Sequence, residues 1–417
     1  MTPLSAEPQT VDDSWETEGS FQLFAAGSNA GRQAHERAFG PLPLERVDAG
    51  FISVLEASGL TGRGGAAFSS WRKVAATGQG RGGALLSAKP VVVANGAEGE
   101  PLSFKDKALL THAPHLVIDG LLIAGQAVSA SQLFLYTTPV TLTMVEAAVA
   151  GRKDARKIKV VQAPETFISG EASAVVNNIA NGIALPLDNR RRLSDTGIKG
   201  RPTLVLNVET LAHMALIARH GPGWFRTAGS DRDPGTRLVS VSGYCTEQVL
   251  EVEGDASLAD ILASAGVDLP GVGAVLVGGY HGRWVRPLDY RLSPAGSDSN
   301  VVRPGAGVLH VLAATECGLE ATARILGYLA SESAQQCGPC MFGLPAMSRV
   351  LNAIAYGDHD PRLVGELERL GKLVGGRGAC HHPDGTARLV GSALDTFSDD
   401  VRAHLTGTCT RKTVRSA

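Results

Sequence analysis

Residues 91–101 read Val91-Val-Val-Ala-Asn95-Gly-Ala-Glu98-Gly-Glu100-Pro101, an apolar run that ends in an amide and two acids. The run fits a strand and the residues after it fit a turn. In open α/β sheets ligands bind beyond the carboxyl ends of the strands, so these polar residues stand where chemistry is expected. Working outward, Leu133–Tyr136 and Lys157–Val161 repeat the strand-like character, while His115–Val128 and Leu142–Ala150 carry helical spacing. Strands alternating with helices predict a parallel, doubly wound α/β domain. It is expected over 51–235, ending after a helix around Val208–Arg219 and preceded by a mobile start and polar arm over 1–50.

The pattern then changes. Arg237–Val241 and Gln248–Val252 fit a hairpin, and Ser257-Leu-Ala-Asp260 fits a capping box that opens a helix over Leu258–Ala265. Ala274–Val277 and Val308–Val311 supply further strands, so 236–312 reads as a small ubiquitin-like α+β module. From 313 to 417 the apolar spacing is helical in four places, around Ala323–Leu329, Met347–Ile354, Leu363–Leu370 and Leu394–Leu405, which predicts a four-helix bundle.

Lys plus Arg is 39 against 41 for Asp plus Glu, a net charge of −2 that gives no reason to expect nucleic-acid binding or adhesion to an anionic membrane. No apolar run reaches the roughly 18 residues of a membrane-spanning helix, and the polar, acidic start does not read as a signal peptide. A cytoplasmic, reducing setting is therefore expected. In it the 6 cysteines read as ligands, catalysts or core residues before they read as disulfides.

Cys337-Gly-Pro-Cys340, with Cys380 forty residues on, carries the strongest chemical signal. A C-x2-C turn aims two thiolates at one point, and a third from a distant loop can close a cage around iron. Other readings are open. With His381 or His382 the same thiols would make a Cys3His zinc site. CGPC is also the dithiol sequence of thioredoxin-like oxidoreductases, although those place it after a strand and here a helical pattern precedes it. Buried cysteines without a ligand role are the remaining alternative. Cys245, Cys317 and Cys409 are isolated and read as small buried residues, and His310 and His404 suggest no role.

Gly59-Leu-Thr-Gly62-Arg-Gly64-Gly65-Ala-Ala-Phe68 is rich enough in glycine to bring backbone N–H groups to an anion, with Lys73 one or two turns later to neutralise phosphate. A tight turn beside a surface lysine explains it equally well. Asn95 offers the donors and acceptors that an isoalloxazine edge or an amide requires, and the nearby carboxylates could accept ribose hydroxyls. A solvated acidic turn is the plainer alternative there, and Arg190-Arg-Arg192 reads as a solvated loop.

Taken in order, Gly62–Phe68, Asn95–Pro101 with Phe104-Lys-Asp106, Phe167-Ile-Ser-Gly170-Glu171, Asn207-Val-Glu-Thr210 and the late cysteines resemble one family. It is the NADH-binding flavoprotein subunit of respiratory complex I, with relatives in NAD-linked hydrogenases and formate dehydrogenases. The resemblance implies a Rossmann-like FMN and NADH domain, a β-grasp (SLBB) module and a helical domain holding a [4Fe–4S] cluster. It implies that Gly62, Gly64 and Gly65 line a nucleotide pocket and that Phe68 stacks on adenine. Lys73 and Asn95 would hold FMN, and Glu98, Glu100, Gly170 and Glu171 would face the pocket, with Asn207 near the flavin. Cys337, Cys340 and Cys380 would ligate iron. NADH would be the electron donor and a ferredoxin or companion subunit the acceptor, with no direct membrane insertion and no side-chain general acid or base.

The chain departs from the family pattern at several positions. The first cluster cysteine is Ala334, which leaves the fourth position to His381, His382, Gln335 or water, or to a [3Fe–4S] core. Ala67 replaces a glycine, Ala97 an acid, Phe167 an aromatic hydroxyl, Ala172 a glutamate and Leu206 an asparagine. The polar losses weigh on NADH recognition more than on flavin binding, and they keep a second expectation open, a scaffold subunit without NADH turnover. Ala67 is expected to crowd a close backbone contact.

Overall fold

The buried apolar runs of the first half form one wholly parallel sheet in this computed structural model, which describes residues 22–48, 50–78, 88–187, 192–287, 290–294 and 300–411. Residues 1–21 of the expected arm, and Arg190 and Arg191, lie outside them. The first unit runs α1 (Arg32–Phe39), α2 (Phe51–Ser58), α3 (Ser70–Gly78), β1 (Val91–Gly96), α4 (Lys105–His112), α5 (Pro114–Ala127), β2 (Gln132–Thr137), α6 (Pro139–Ala150), β3 (Ile158–Gln162), α7 (Ala172–Asn181), β4 (Thr203–Asn207) and α8 (Val208–Phe225). The strand order is β3-β2-β1-β4. Beneath the sheet, α5 and α8 cross so closely that a Cβ on Gly120 would lie 2.0 Å from the Leu211 carbonyl oxygen. Only a residue without a side chain permits that approach.

Residues 22–48 are not a loose arm. Leu23 is fully buried and its N–H donates to the Glu251 carboxylate at 3.0 Å. On α1, His35 meets Asp119 of α5 at 2.8 Å. Two cations, Arg152 at 2.7 Å and Arg219, complete the charge cluster around that aspartate.

The second unit comprises β5 (Thr236–Gly243), β6 (Gln248–Glu253), α9 (Leu258–Ser264), β7 (Val272–Val277), β8 (Arg283–Val285), β9 (Arg291–Leu292), β10 (Val301–Val302) and β11 (Val308–Ala313). Its main sheet has the order β6-β5-β11-β7-β8. The expected hairpin is β5–β6, and β5 pairs in parallel with β11. Ser257 caps α9 by accepting from the Asp260 N–H at 3.1 Å, as its spacing predicts. One face of the sheet packs on α9, and the other meets the helices that follow through Ala274, Leu276 and Trp284.

Those helices are α10 (Gly318–Ser331), α11 (Leu344–Tyr356), α12 (Arg362–Val374), α13 (His382–Thr396) and α14 (Ser398–Leu405). The pattern expected as one last helix is divided between α13 and α14 at Phe397. That ring packs on Trp284 with centroids 5.4 Å apart, and a Cβ on Gly318 would fall 2.3 Å from it. Burying such a ring is worth roughly 3 kcal/mol, enough to fix the break. Among the described residues no single helix is long and apolar enough to cross a membrane.

Candidate functional site at the sheet switch point

Asn95 is the next-to-last residue of β1 and Asn207 ends β4, and the two are paired in register. The sheet continues from β1 to β2 on one side and to β4 on the other, so the crevice where ligands bind in such sheets lies above this pair. The glycine loop covers it. Gly59, in the left-handed region (φ 72°), ends α2, and Gly62 N–H donates to the Phe68 carbonyl at 2.9 Å to close the loop. A Cβ on Gly64 would stand 3.1 Å from the Asn207 Cβ, and one on Gly65 would stand 3.8 Å from the backbone of Gly305. The loop is therefore threaded between the switch point and a turn of the second unit.

Arg63, inside the glycine loop, does not face a ligand. It is buried, its guanidinium meets Asp233 at 3.1 Å, and its N–H donates to Thr210 Oγ1 at 2.9 Å. Phe68 is 47% exposed, so its ring face is open for stacking. Lys73 lies on α3, and burial lowers its ammonium pKa. No ion-pair partner for it occurs among the described residues, which suits an anionic group. Ala67 takes the left-handed conformation (φ 49°) that the family's glycine would adopt without strain. Ala67→Gly should relieve about 1 kcal/mol of that strain and lose part of the gain to unfolded-chain entropy. A rise of roughly 0.5 kcal/mol in urea unfolding free energy is expected.

The polar residues expected to greet the ligand are held largely by the scaffold. Asn95 donates to the Gly170 carbonyl at 2.9 Å and accepts from the Ala97 N–H at 3.2 Å. Asn207 caps α8 through the Glu209 N–H at 3.0 Å and donates to Asp106 at 2.6 Å. Glu98 does not present a free carboxylate. Its oxygens accept from Ser103 Oγ at 2.5 Å and from the N–H groups of Asp106 and Lys107, both at 3.0 Å, at the start of α4. Glu171 caps α7, accepting from the N–H groups of Ser173 and Ala174 at 2.9 and 3.0 Å. Glycine is required where these loops touch, because a Cβ on Gly99 would lie 2.5 Å from the Phe167 carbonyl and one on Gly170 2.8 Å from that of Ala97.

A buried charge cluster beside the crevice had only its motif to announce it. Lys105 Nζ lies 2.6 Å from Asp106 and 2.9 Å from Glu209. Burial alone would pull this ammonium down, but the two carboxylates hold it above the usual lysine range. Burial pushes Asp106 up to about 7 against the pull of Lys105.

Glu100 reaches the second unit, where its Oε2 accepts the Tyr280 N–H at 2.9 Å. Its Oε1 is buried with no hydrogen-bond partner among the described residues. Burial raises the carboxyl to about 8, the Tyr280 and Leu102 N–H groups opposing. A carboxyl pKa raised on folding contributes stability that is complete below the unfolded value near 4.3 and declines as pH climbs toward the folded value. Wild type should lose stability relative to Glu100→Gln between about pH 4 and 8, by up to about 5 kcal/mol. Urea midpoints measured across that range check it.

At the far end of the same loops stand the three thiols. Cys337 and Cys340 flank the tight turn that opens α11, and Cys380 precedes α13 and accepts the His382 N–H. Burial pushes Cys340 up to about 12, with Cys337 and Cys380 both adding to the rise. Three thiols that oppose one another's ionisation call for a cation between them. Helix α10, not a strand, precedes the C-x2-C turn, contrary to the thioredoxin-like placement.

Of the candidates for the fourth position, the two histidines are poorly placed to serve. Ala334 offers a methyl group. His382 is engaged on both nitrogens, with the Leu329 carbonyl at 2.8 Å and His281 at 3.1 Å. His381 has a 91% exposed side chain, 3.5 Å from Asp384.

One short segment joins crevice and thiols. Phe167 packs on His281, Tyr328 and His382, with ring centroids 4.8, 6.1 and 5.5 Å apart, and its N–H donates to Glu332 at 3.2 Å. Four residues on, the Glu171 carboxylate acts on Cys380 and helps to raise its pKa. The position expected to offer a hydroxyl to a ligand is here an apolar hinge pin between units.

Comparison with known proteins agrees with this geometry. Residues 55–216 match the family model described as the Nuo51 FMN-binding domain, and residues 320–404 match the NADH-ubiquinone oxidoreductase-F iron-sulfur binding region. An NADH-quinone oxidoreductase subunit of Rhizobium meliloti (strain 1021) is 28% identical over 91% of this chain and 93% of its own length. Its namesake in the NADH-quinone oxidoreductase of Mycobacterium bovis is also 28% identical, over 98% and 94%. Among solved structures, an NAD+-reducing [NiFe]-hydrogenase in the H2-reduced state superposes with a TM-score of 0.79 at 23% identity, covering 95% of this chain and 70% of that one. With both signature regions matched in order over more than half the chain, above a switch-point cradle and a thiol triad, the chain belongs to the family of NADH-dehydrogenase-type electron-input flavoproteins found in respiratory complex I.

Proposed function

We propose that this chain takes electrons from NADH at the crevice above Asn95 and Asn207 and delivers them singly, through an iron–sulfur cluster held by Cys337, Cys340 and Cys380, to a protein acceptor. FMN, when bound, supplies the chemistry that converts a two-electron hydride donor into a one-electron source. Residues 51–235 act as the Rossmann-like FMN and NADH domain, 236–312 as the β-grasp (SLBB) module and 313–417 as the cluster domain.

The crevice fits a flavin nucleotide. Gly64 and Gly65 let the loop lie close against Asn207 and the Gly305 turn, Lys73 offers a half-buried cation, and Phe68 offers an exposed ring. Asn95 and Asn207 hold the loops at a fixed separation, and the buried Lys105, paired with Asp106 and Glu209, ties α4 to α8 under the crevice. The thiol triad fits iron through three donors, so the fourth iron position is open to solvent or a non-protein ligand. Met341 (50% exposed) and Phe342 (70%) present apolar surface beside Cys340, as a docking rim for a ferredoxin or companion subunit would.

The observation that carries this reading is the Phe167–Glu171 segment, which walls the crevice at Gly170 and packs through Phe167 on His382, two residues from Cys380. A second reading, a scaffold without NADH turnover, is favoured by Phe167, whose ring is packed against the cluster domain and gives no hydroxyl to a nucleotide.

Anaerobic absorbance and EPR spectra of flavin-reconstituted protein, before and after NADH, separate the two. Flavin bleaching with a reduced-cluster signal is the expected result. Cluster present with flavin unchanged by NADH would establish the scaffold reading. Failure to take up flavin at all would overturn the proposed mechanism.

A further inference from the structure

We propose that Cys317, His404 and Cys409 form a zinc site, separate from the iron–sulfur thiols, that staples the end of the chain to the joint between the second sheet and the helices. The three residues look unrelated in sequence. In the fold their ligand atoms lie within 4.8 Å of one another, and all three residues are buried. Cys317 Sγ and His404 Nε2 are 3.4 Å apart. A tetrahedral zinc with bonds of about 2.3 Å to sulfur and 2.0 Å to nitrogen has an S···N edge of about 3.6 Å, so the donors already stand near ligating separation.

Each donor is delivered by a specific piece of backbone. Cys317 is the N-cap of α10 and is buried where the strand-to-helix joint ends. His404 is in the last turn of α14, and its carbonyl accepts from His359 Nδ1 at 2.9 Å. Cys409 returns toward His404 because α14 ends in a Schellman turn. Gly407 sits at φ 80°, its N–H donates to the His404 carbonyl at 3.1 Å, and the Thr408 N–H donates to that of Ala403 at 3.0 Å. Beyond the turn, Arg411 donates to the Ala314 carbonyl at 2.9 Å, which holds the tail against the strand-to-helix joint that carries Cys317.

The donor set selects the metal. Two thiolates and an imidazole suit zinc and disfavour magnesium or calcium, which take oxygen ligands. Binding releases two thiol protons and needs no oxidant. Three protein donors leave the fourth coordination position to water. The iron thiols gather at the starts of α11 and α13, whereas this site joins the start of α10 to the end of α14, so the two metals would occupy opposite ends of the same helical unit.

The test is elemental analysis of the full-length protein, purified anaerobically under reducing conditions from zinc-supplemented cells and passed through EDTA. About one zinc per chain is expected in addition to iron. Cys409→Ser and His404→Ala should each lower zinc about tenfold or more while iron stays unchanged, on the scale at which ligand-shell losses act. The zinc-edge X-ray absorption of wild type, which needs no variant to fold, should show sulfur near 2.3 Å together with nitrogen. Zinc absent from the wild type would overturn the proposal. So would zinc lost on Cys337→Ser but retained in Cys409→Ser, or a Cys317–Cys409 disulfide peptide recovered from the reduced protein.

Discussion

Cys340→Ser is expected to empty the thiol triad of iron and to lower electron delivery to a protein acceptor by about 10²-fold or more, since even residues that only support a metal's ligands act on a 10–100-fold scale. The physical reason is the donor count. Ala334 leaves three thiols, and the buried Cys340 is the one whose ionisation both of the others oppose. Its replacement leaves two thiolates for a core that needs three or four. NADH should still bleach the flavin in this variant, because the crevice is built from β1, β4 and the Gly62–Phe68 loop, and none of its polar contacts passes through Cys340. Iron content, the EPR signal and acceptor reduction, measured beside flavin bleaching, separate loss of the exit from loss of the entrance. Unchanged iron in Cys340→Ser would remove the cysteine from the ligand set.

The second large effect is on stability. Asp119→Ala is expected to cost about 3–5 kcal/mol, because removing one partner of a buried ion cluster leaves the others uncompensated. Asp119 is 1% exposed and faces His35, Arg152 and Arg219. Burial by itself pushes its carboxyl up, but the His35 hydrogen bond and the two guanidinium groups outweigh it and hold the pKa at about 2. Arg219 would keep only carbonyl partners, such as that of Phe39 at 2.8 Å, and Arg152 would keep Asp154 at 2.7 Å. A carboxyl pKa depressed on folding contributes stability that is present above the unfolded value near 3.9 and is lost as pH falls through the folded value. The gap between wild type and Asp119→Ala should therefore be widest above about pH 4 and close toward about pH 2. Urea unfolding at several pH values gives both the size and the sign. A gap that stays constant with pH would mean that packing, not charge, is what alanine removes.

Much of the architecture was legible without coordinates. Val91–Ala94, Leu133–Tyr136 and Lys157–Val161 became adjacent parallel strands, and Ser257 capped its helix. These are local properties: a run of apolar residues or a capping spacing acts within one or two turns of chain, and its period reports backbone geometry directly. The glycines of Gly62–Phe68 and the pair Cys337 and Cys340 stand out in the sequence for the same reason, since their spacing is local.

What the tertiary structure decided was which polar atoms meet. Glu98 reads as a ligand-facing acid and turns out to cap α4. Phe167 reads as a lost hydroxyl and turns out to pin the first unit to the cluster domain. Residues 22–48 read as a polar arm and are held by Glu251 and Asp119, more than eighty residues away. Cys317 and His404 stand 87 positions apart and touch only in the closed fold, and Cys409 joins them because Gly407 turns the chain back after α14. Sequence period fixes how each segment folds on itself. The meeting of two distant side chains depends on helix breaks, positive-φ turns and packing angles, which act together only once the whole core has closed.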